Sequence, residues 1–156
     1  MDIISNLNKR LTMVEGGIWH GGEDKIKKVL SESPVKLPND YIEFLKLISG
    51  KEKSLGISFL VDDKGHEIFI WSAEMALNKR NLDFNFPFYK DFTDCTWMLG
   101  DDLGDLIYFY GEGNEGFGIY RSEAGGGLDI GDSDKIADSL TDFLVNGVGI
   151  DIAITL

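Results

Sequence analysis

Cysteine is nearly absent from this chain of 156 residues, which contains Cys95 and no other. One thiol cannot form a disulfide within the chain, and it cannot build a cysteine-based metal cluster. Such scarcity is typical of proteins in a reducing compartment. We therefore expect a cytoplasmic protein that needs no disulfide.

Long apolar runs are also missing from the sequence. A membrane-spanning helix needs about 20 predominantly apolar residues, and no run here approaches that length. Residues 1–11 include polar Asn6, Asn8, Lys9 and Arg10, so they do not resemble the apolar region of a secretory signal. The sequence predicts neither export nor a membrane helix.

Basic residues are scarce between positions 101 and 142. This stretch contains eleven acidic residues against Arg121 and Lys135, which leaves a formal charge of -9 there out of -12 for the whole chain. Nucleic acids and anionic membranes are normally bound by clustered lysine and arginine, so neither is an expected direct partner. A basic protein partner is the prediction, and the alternative is that the acids only keep the protein soluble.

What the sequence does contain is enough apolar material for one core. Hydrophobic residues make up 43% of the chain and aromatic residues 12%, which is too much for a disordered acidic tail. The length is typical of one domain. We predict a single domain over residues 1–156.

Hydrophobic spacing typical of helices recurs in five segments, residues 2–11, 23–32, 38–50, 72–82 and 133–147. Ile26, Val29 and Leu30 are expected to form the inner face of the second helix. Ser72 and Ser133 have side chains suited to cap the helices that follow them.

Alternating spacing typical of strands recurs in six segments, residues 55–61, 68–70, 96–99, 106–110, 117–120 and 148–156. Residues 62–65 predict a hairpin turn, and the aromatic-rich segment 84–92 is expected to be a loop packed onto the core. Because glycine-rich and acidic turns separate the strands, we expect antiparallel pairing. The predicted fold class is α+β, a single antiparallel sheet flanked by several helices.

Gly111, Gly113 and Gly116 match the spacing of a dinucleotide-binding loop. That loop requires a helix after the glycines, whereas residues 117–120 predict a strand. The carboxylates of Glu112 and Glu115 would also repel phosphate. We interpret the motif as a hairpin loop and expect no cofactor.

Asp129, Asp132 and Asp134 are clustered oxygen donors of the kind that bind calcium. An EF-hand loop starting at Asp129 would need glutamate at its twelfth position, where this chain has Leu140. We predict no dedicated metal site, with weak adventitious cation binding as the alternative.

Cys95 and His66 are the candidate pair for nucleophilic catalysis, in which a base activates a thiol. Asp94 lies next to the thiol in the sequence, and its charge is expected to raise the pKa of Cys95 and to disfavour the thiolate. We interpret Cys95 as a structural or incidental thiol.

Asp101, Asp102 and Asp105 offer the paired carboxylates that glycoside hydrolases use. Gly100 and Gly104 lie among them, and aspartates beside turn glycines commonly shape a connection between strands. We predict such a connection and no enzyme, with a small hydrolase as the alternative.

Trp71, Trp97 and the aromatic residues of segment 84–92 are candidates for a recognition surface, because aromatic residues are enriched at binding hot spots. Both tryptophans fall in strand-like segments, which favours their burial in the core. The position of the aromatic residues in segment 84–92 stays open.

Several segments resemble a known family in their residues and in their order. They are residues 37–45 (Leu-Pro-Asn-Asp-Tyr-Ile-Glu-Phe-Leu) with Ser49-Gly50, residues 99–102 (Leu-Gly-Asp-Asp), 105–109 (Asp-Leu-Ile-Tyr-Phe), 118–121 (Gly-Ile-Tyr-Arg) and 136–144 (Ile-Ala-Asp-Ser-Leu-Thr-Asp-Phe-Leu). Over about residues 23–145 the chain resembles the SUKH superfamily, which includes fungal cell-wall-synthesis regulators and bacterial immunity proteins. Leu103 departs from the pattern, which has a small residue there, and Ser49 stands where asparagine commonly precedes the glycine.

The resemblance implies a SUKH-like fold and a function in protein binding. A bacterial member would neutralise a cognate polymorphic toxin by stoichiometric occlusion, whereas a relative of the fungal regulators would be a non-enzymatic scaffold. Such toxins are often nucleases with basic clefts, which an acidic surface would complement. We predict an immunity protein whose partner-binding residues are Asp101, Asp102, Asp105, Glu112, Glu115, Asp129, Asp132 and Asp134.

Overall fold

Seven antiparallel strands form one sheet in a computed structural model that describes residues 2–14, 16–125 and 128–154. Each strand pairs with the next one in the sequence, so the order across the sheet follows the order along the chain. The strands are β1 (Leu11–Met13), β2 (Gly56–Val61), β3 (His66–Trp71), β4 (Thr96–Asp101), β5 (Leu106–Gly113), β6 (Gly116–Glu123) and β7 (Asp134–Ala137).

The helices of the described residues are α1 (Glu23–Glu32), α2 (Asn39–Ile48), α3 (Ala73–Asn78), α4 (Lys90–Thr93), α5 (Leu140–Leu144) and α6 (Ile150–Ile154). Helix α3 continues as a π-helix over Lys79–Asp83. Single turns of 3-10 helix lie at Ile4–Asn6, Pro87–Tyr89 and Ile130–Asp132. None of these helices has the length and apolar character that crossing a membrane would require.

One face of the sheet packs against α2 and α5. The ring centroids of Tyr41 and Tyr110 lie 5.3 Å apart, and those of Tyr108 and Phe143 lie 6.0 Å apart. Because side chains alternate along a strand, Tyr108, Tyr110 and Glu112 of β5 share this helix-covered face.

The opposite face of β5 is covered by the segment that precedes β4. Phe92 of α4 meets Phe109 edge to face at 4.7 Å, and Phe109 stacks on Tyr120 of β6 at 6.1 Å. The central strands are therefore buried on both faces, which explains the long apolar run in β5.

Helix α2 shows how local sequence and packing agree. Pro38 precedes the helix with a φ of -65°, the value that its ring imposes. The four predicted inner residues, Tyr41, Phe44, Leu45 and Ile48, are all buried. The carboxylate of Asp40 accepts hydrogen bonds from the backbone N and Oγ1 of Thr141 at 2.9 and 2.8 Å, which joins α2 to α5.

The predicted α+β class and single antiparallel sheet are confirmed, as are α1, α2, the β2–β3 hairpin and strands β4 to β6. Ser72 caps α3 as predicted, because its Oγ accepts a hydrogen bond from the backbone N of Met75 at 3.1 Å. On α1 the predicted inner face is too wide. Ile26 and Val29 are buried, whereas Leu30 is 51% exposed.

The helix predicted for residues 2–11 is wrong. Only Ile4–Asn6 form a 3-10 turn, Leu7 is extended, and Leu11 begins β1 opposite Val61. A short strand here pairs the outer backbone groups of β2, which helical spacing in the sequence could not indicate.

The helix predicted after Ser133 is also wrong in its first half. Ile136 and Ala137 belong to β7, and α5 begins only after Ser139, whose Oγ accepts a hydrogen bond from the backbone N of Asp142 at 3.1 Å. Pairing with the edge of β6 outweighs the helical spacing of these residues, because a strand there satisfies backbone groups that would otherwise be unpaired.

The strand predicted for residues 148–156 is contradicted as well, because Ile150–Ile154 form α6. Ile150 and Ala153 are buried, and the carbonyl oxygen of Ala153 accepts a hydrogen bond from the Tyr108 hydroxyl at 3.1 Å. Period-two spacing over so few residues does not separate a strand from a short helix. Thr155 and Leu156, the end of that predicted strand, lie outside the described residues.

Candidate protein-binding surface

The acidic residues predicted to bind a partner lie in two groups near opposite ends of β5 and β6. The turn-end acids, Asp101, Asp102, Asp105 and Asp134, lie toward the β4–β5 turn. The hairpin-end acids, Glu112, Glu115, Asp129 and Asp132, lie toward the β5–β6 hairpin, where Asn114 Nδ2 donates to the carbonyl oxygen of Gly131 at 2.8 Å. Strand β5 is about 23 Å long at the usual rise per residue, so the eight acids do not form one cluster.

The turn-end carboxylates shape the chain around them. Asp102 Oδ1 accepts hydrogen bonds from the backbone N of Gly104 and of Leu106, at 2.8 and 3.1 Å. Asp105 Oδ1 accepts one from Gly125 N at 2.9 Å. The predicted role of these aspartates in a strand connection is therefore confirmed.

Asp101 and Asp134 also have partners within the protein. Asp101 accepts hydrogen bonds from the Trp71 indole Nε1 at 3.3 Å and from Leu103 N at 2.9 Å. Its burial raises the pKa of Asp101, and the charge of Asp102 acts in the same direction. Asp134 forms an ion pair with Arg121 at 3.3 Å.

Three of the four hairpin-end acids have no side-chain partner among the described residues. The side chains of Glu112, Glu115 and Asp132 are exposed and form no hydrogen bond or ion pair with another described residue. Asp129 differs, because its Oδ1 accepts a hydrogen bond from Gly131 N at 2.9 Å. Among the eight predicted residues, the carboxylates without a partner therefore lie at the hairpin end.

An apolar groove lies beside Glu112. Its volume is about 550 Å³, and it runs between the α1–α2 connection and the β5–β6 hairpin. Val35, Leu37, Pro38 and Phe117 supply its apolar walls. Glu112 and Phe117 are directly opposite each other on β5 and β6, so their side chains share one face.

Sequence reasoning missed this groove. Val35, Leu37 and Pro38 precede α2, and the spacing around Phe117 predicts only a strand, so neither pattern indicates a shared surface. The usable signal was the pair of prolines at 34 and 38, which keeps the α1–α2 connection extended, but nothing local indicated that the hairpin lies against it.

The aromatic segment 84–92 is only partly packed onto the core. Phe84 and Phe92 are buried, as predicted, whereas Phe86 and Phe88 are 57% and 77% exposed. The expectation of a loop packed onto the core therefore does not hold for Phe86 and Phe88, and the open question about these aromatic residues is answered by their exposure. Trp71 and Trp97 are both fully buried, which confirms their assignment to the core.

Cys95 is exposed, and its Sγ donates to the backbone carbonyl oxygens of Asp91 and Phe92 at 3.4 Å each. Partial burial raises the pKa of Cys95, and the charges of Asp94, Asp91 and Asp129 add to that rise, so the predicted effect of Asp94 is confirmed in direction. His66 begins β3 while Cys95 precedes β4, so antiparallel pairing places them toward opposite ends of the sheet.

The glycine motif forms a hairpin, as predicted. Gly113 pairs with Gly116 across the turn, and Gly116 has a φ of +88°, a conformation that glycine adopts without steric strain. Among the described residues, His, Cys, Asp and Glu side chains form no group of three that could hold a metal ion.

Comparison with known protein families identifies the family of this chain. The family model described as SMI1 / KNR4 family (SUKH-1) matches residues 22–146. The chain belongs to this family. The SUKH resemblance drawn from residues 23–145 is thereby confirmed, and the matched SUKH-1 region contains α1, α2, α5, strands β2 to β7 and the apolar groove. No curated protein matched the chain.

Membership of the SUKH-1 family includes both immunity proteins and regulators of the SMI1/KNR4 type. It therefore does not separate the two functions predicted from the sequence. Leu103, the position that departs from the family pattern, has a φ of +63° and is 58% exposed. A left-handed backbone explains why a small residue suits this turn.

Proposed function

We propose that this SUKH-1 chain is a cytoplasmic immunity protein that neutralises a toxin by stoichiometric binding and performs no catalysis. The observation that carries the proposal is the set of exposed hairpin-end carboxylates, Glu112, Glu115 and Asp132, that lack an ion pair within the described residues. A toxin with a basic substrate cleft would provide the missing cations.

Electrostatics favours this use of the surface. Exposed unpaired charges create a long-range field that accelerates the encounter with an oppositely charged protein by roughly 10- to 1000-fold at low salt. Rapid encounter suits a protein that must intercept a toxin before it reaches its substrate. The turn-end acids are less suited to this role, because Asp101, Asp102 and Asp105 already accept backbone hydrogen bonds.

The same hydrogen bonds favour a non-catalytic function. A glycoside hydrolase needs two carboxylates flanking a substrate cleft. Asp102 and Asp105 instead hold the backbone of residues 104–106 and 125 in place. A non-enzymatic regulatory scaffold of the cell-wall-synthesis type is the second candidate, because SUKH-1 membership includes such regulators.

The test begins with a pull-down of the tagged chain from its native cells at low and high salt, with bound proteins identified by mass spectrometry. A recovered toxin is then purified, and its activity is titrated with the chain. Loss of activity at equimolar chain, with binding that weakens at high salt, supports the immunity function. Recovery of a wall-synthesis or signalling protein that has no toxic activity supports the scaffold instead.

Two matched sets of variants test whether the hairpin-end acids bind the partner. Glu112→Gln, Glu115→Gln and Asp132→Asn combined remove three unpaired charges and are expected to slow association with the toxin. Glu23→Gln, Glu52→Gln and Asp24→Asn combined remove the same number of charges from exposed residues around the start of α1 and after α2. Equal effects of the two sets would contradict a specific hairpin-end surface.

A further inference from the structure

We infer that the apolar groove beside the β5–β6 hairpin receives a protruding aliphatic or aromatic side chain from a basic segment of the partner. This inference deepens the proposed function, on which it rests, by naming where the partner docks and the chemistry of the segment that docks. The groove lies between two parts of the chain that are distant in sequence, residues 35–39 and residues 112–117.

The groove is apolar and large enough for a side chain. Its volume is about 550 Å³, and its walls contain Val35, Leu37, Pro38 and Phe117. Leu37 is buried, whereas Val35, Pro38 and Phe117 are half-buried and keep part of their surface open to solvent. Burying a leucine-sized side chain against such walls favours binding, because its apolar surface leaves water.

Both walls are held in place by contacts inside the protein. On the hairpin side, Phe117 stacks on Tyr110 with ring centroids 6.1 Å apart and ring planes 11° apart. On the other side, the hydroxyl of Ser33 donates to the carbonyl oxygen of Val35 at 2.7 Å and accepts a hydrogen bond from Val35 N at 3.2 Å. A groove that is formed before binding loses little conformational entropy when it is filled.

Charge identifies the occupant as a basic segment. Glu112 is part of the groove wall, and its carboxylate forms no ion pair with a described residue. Lys36 lines the opposite side of the groove, so a basic residue of the partner would lie on the Glu112 side. A lysine or arginine next to the docked apolar side chain would pair with Glu112.

The same charges disfavour a second copy of this chain as the occupant. Each copy has a formal charge of -12, so two copies would repel one another at a surface that already contains unpaired carboxylates. An acidic protein segment would meet the same repulsion from the net charge of the chain. A basic, apolar-tipped segment fits both the groove and Glu112 in its wall.

The test is an NMR titration of the full-length chain, labelled with ¹⁵N, with a short peptide in which leucine and lysine alternate. We expect the amide signals of residues 35–37, 39 and 112–117 to shift at millimolar peptide. A peptide with serine in place of leucine should bind roughly tenfold more weakly, because it loses the apolar contact. A peptide with glutamate in place of lysine should weaken by a similar factor or more.

A pair of charge-reversed variants provides the matched control. Glu112→Lys is expected to weaken binding of the leucine–lysine peptide by about fivefold to tenfold. Glu123→Lys makes the same charge change at an exposed glutamate near the other end of the hairpin strands and should have little effect. Because both positions are exposed, the variant spectra should retain the dispersion of the folded protein.

Two outcomes would overturn the inference: shifts at residues 101–105 without shifts in the groove, or equal weakening by Glu112→Lys and Glu123→Lys. Either result leaves the proposed function standing if the recovered toxin is still neutralised. Conversely, groove shifts with the peptide together with a pull-down that recovers no toxin would support the groove and contradict the immunity function. The two failures are therefore distinguishable.

Discussion

The indole Nε1 of Trp97 donates a hydrogen bond to the hydroxyl oxygen of Tyr41 at 2.9 Å, and both side chains are fully buried. This bond joins the start of β4 to the first turn of α2. Tyr110 lies beside Tyr41 in the same core, yet its buried hydroxyl has no hydrogen-bond partner among the described residues. Two neighbouring tyrosines therefore have opposite hydrogen-bonding states, which makes them a matched pair for measuring stability.

Tyr41→Phe is expected to lower the free energy of unfolding by about 1 to 3 kcal/mol, because it leaves the Trp97 N–H buried without an acceptor. Tyr110→Phe removes a hydroxyl that has no described partner, so it should leave stability unchanged or raise it by up to about 1 kcal/mol. Urea unfolding followed by fluorescence measures both. Similar losses in the two variants would contradict the assignment of their hydrogen bonds.

Leu103→Gly is expected to raise the free energy of unfolding by up to about 1 kcal/mol. Leu103 has a φ of +63°, which strains a residue with a Cβ by about 1 to 2 kcal/mol. Glycine relieves this strain, but it also increases the conformational entropy of the unfolded chain, which offsets part of the stabilisation. Leu55→Gly is the control, because Leu55 is similarly exposed at 60% and does not have a positive φ. It should lose stability, and a loss at both positions would argue against strain at Leu103.

Asp101→Asn is expected to change how stability depends on pH. Burial raises the pKa of Asp101, so the folded state binds this proton more tightly than the unfolded state does. The resulting stabilisation is present below the ordinary aspartate pKa and is lost as pH rises through the raised value. Relative to Asp101→Asn, the wild type should therefore become less stable from acid toward neutral pH in urea unfolding series, and parallel curves would contradict the raised pKa.

Asp94→Asn is expected to accelerate alkylation of Cys95 by iodoacetamide at neutral pH by roughly twofold to fivefold. Burial is the main reason for the raised pKa of Cys95, and Asp94 is the first of the charges that add to it. Removing that charge also frees Lys90, which pairs with Asp94 at 2.7 Å, and a free cation favours the thiolate further. The alkylation rate as a function of pH measures the change.

Asp132→Asn is the control for Cys95 reactivity, because Asp132 is not among the charges that raise the thiol pKa. It should leave the alkylation rate close to that of the wild type. An equal acceleration in Asp132→Asn would indicate a general effect of net charge and would remove the specific role of Asp94.

Long elements with a consistent spacing could be predicted from the sequence. Helix α2 places Tyr41, Phe44, Leu45 and Ile48 on one face after a proline, so local propensity and burial indicate the same structure. The β2–β3 hairpin is similar, because alternation on both sides of residues 62–65 fits only one arrangement.

Short elements at the edges of the sheet could not be predicted in this way. Leu11 and Ile136 both fit a helical spacing, yet both lie in strands because β2 and β6 have backbone groups that need partners. Ile150 fits a strand but begins α6, where it covers the core. In each case long-range pairing or packing outweighed local spacing.

The α+β class, the family resemblance and the strongly acidic stretch 101–142 could all be predicted from the sequence, because composition, spacing and charge are local properties. The tertiary structure determines which acids are free, because that depends on which backbone N–H groups each carboxylate meets. It separated Asp102, which holds a turn, from Glu112, which faces solvent beside an apolar groove. That groove exists because the hairpin packs next to a connection more than seventy residues earlier, a proximity that no local pattern contains.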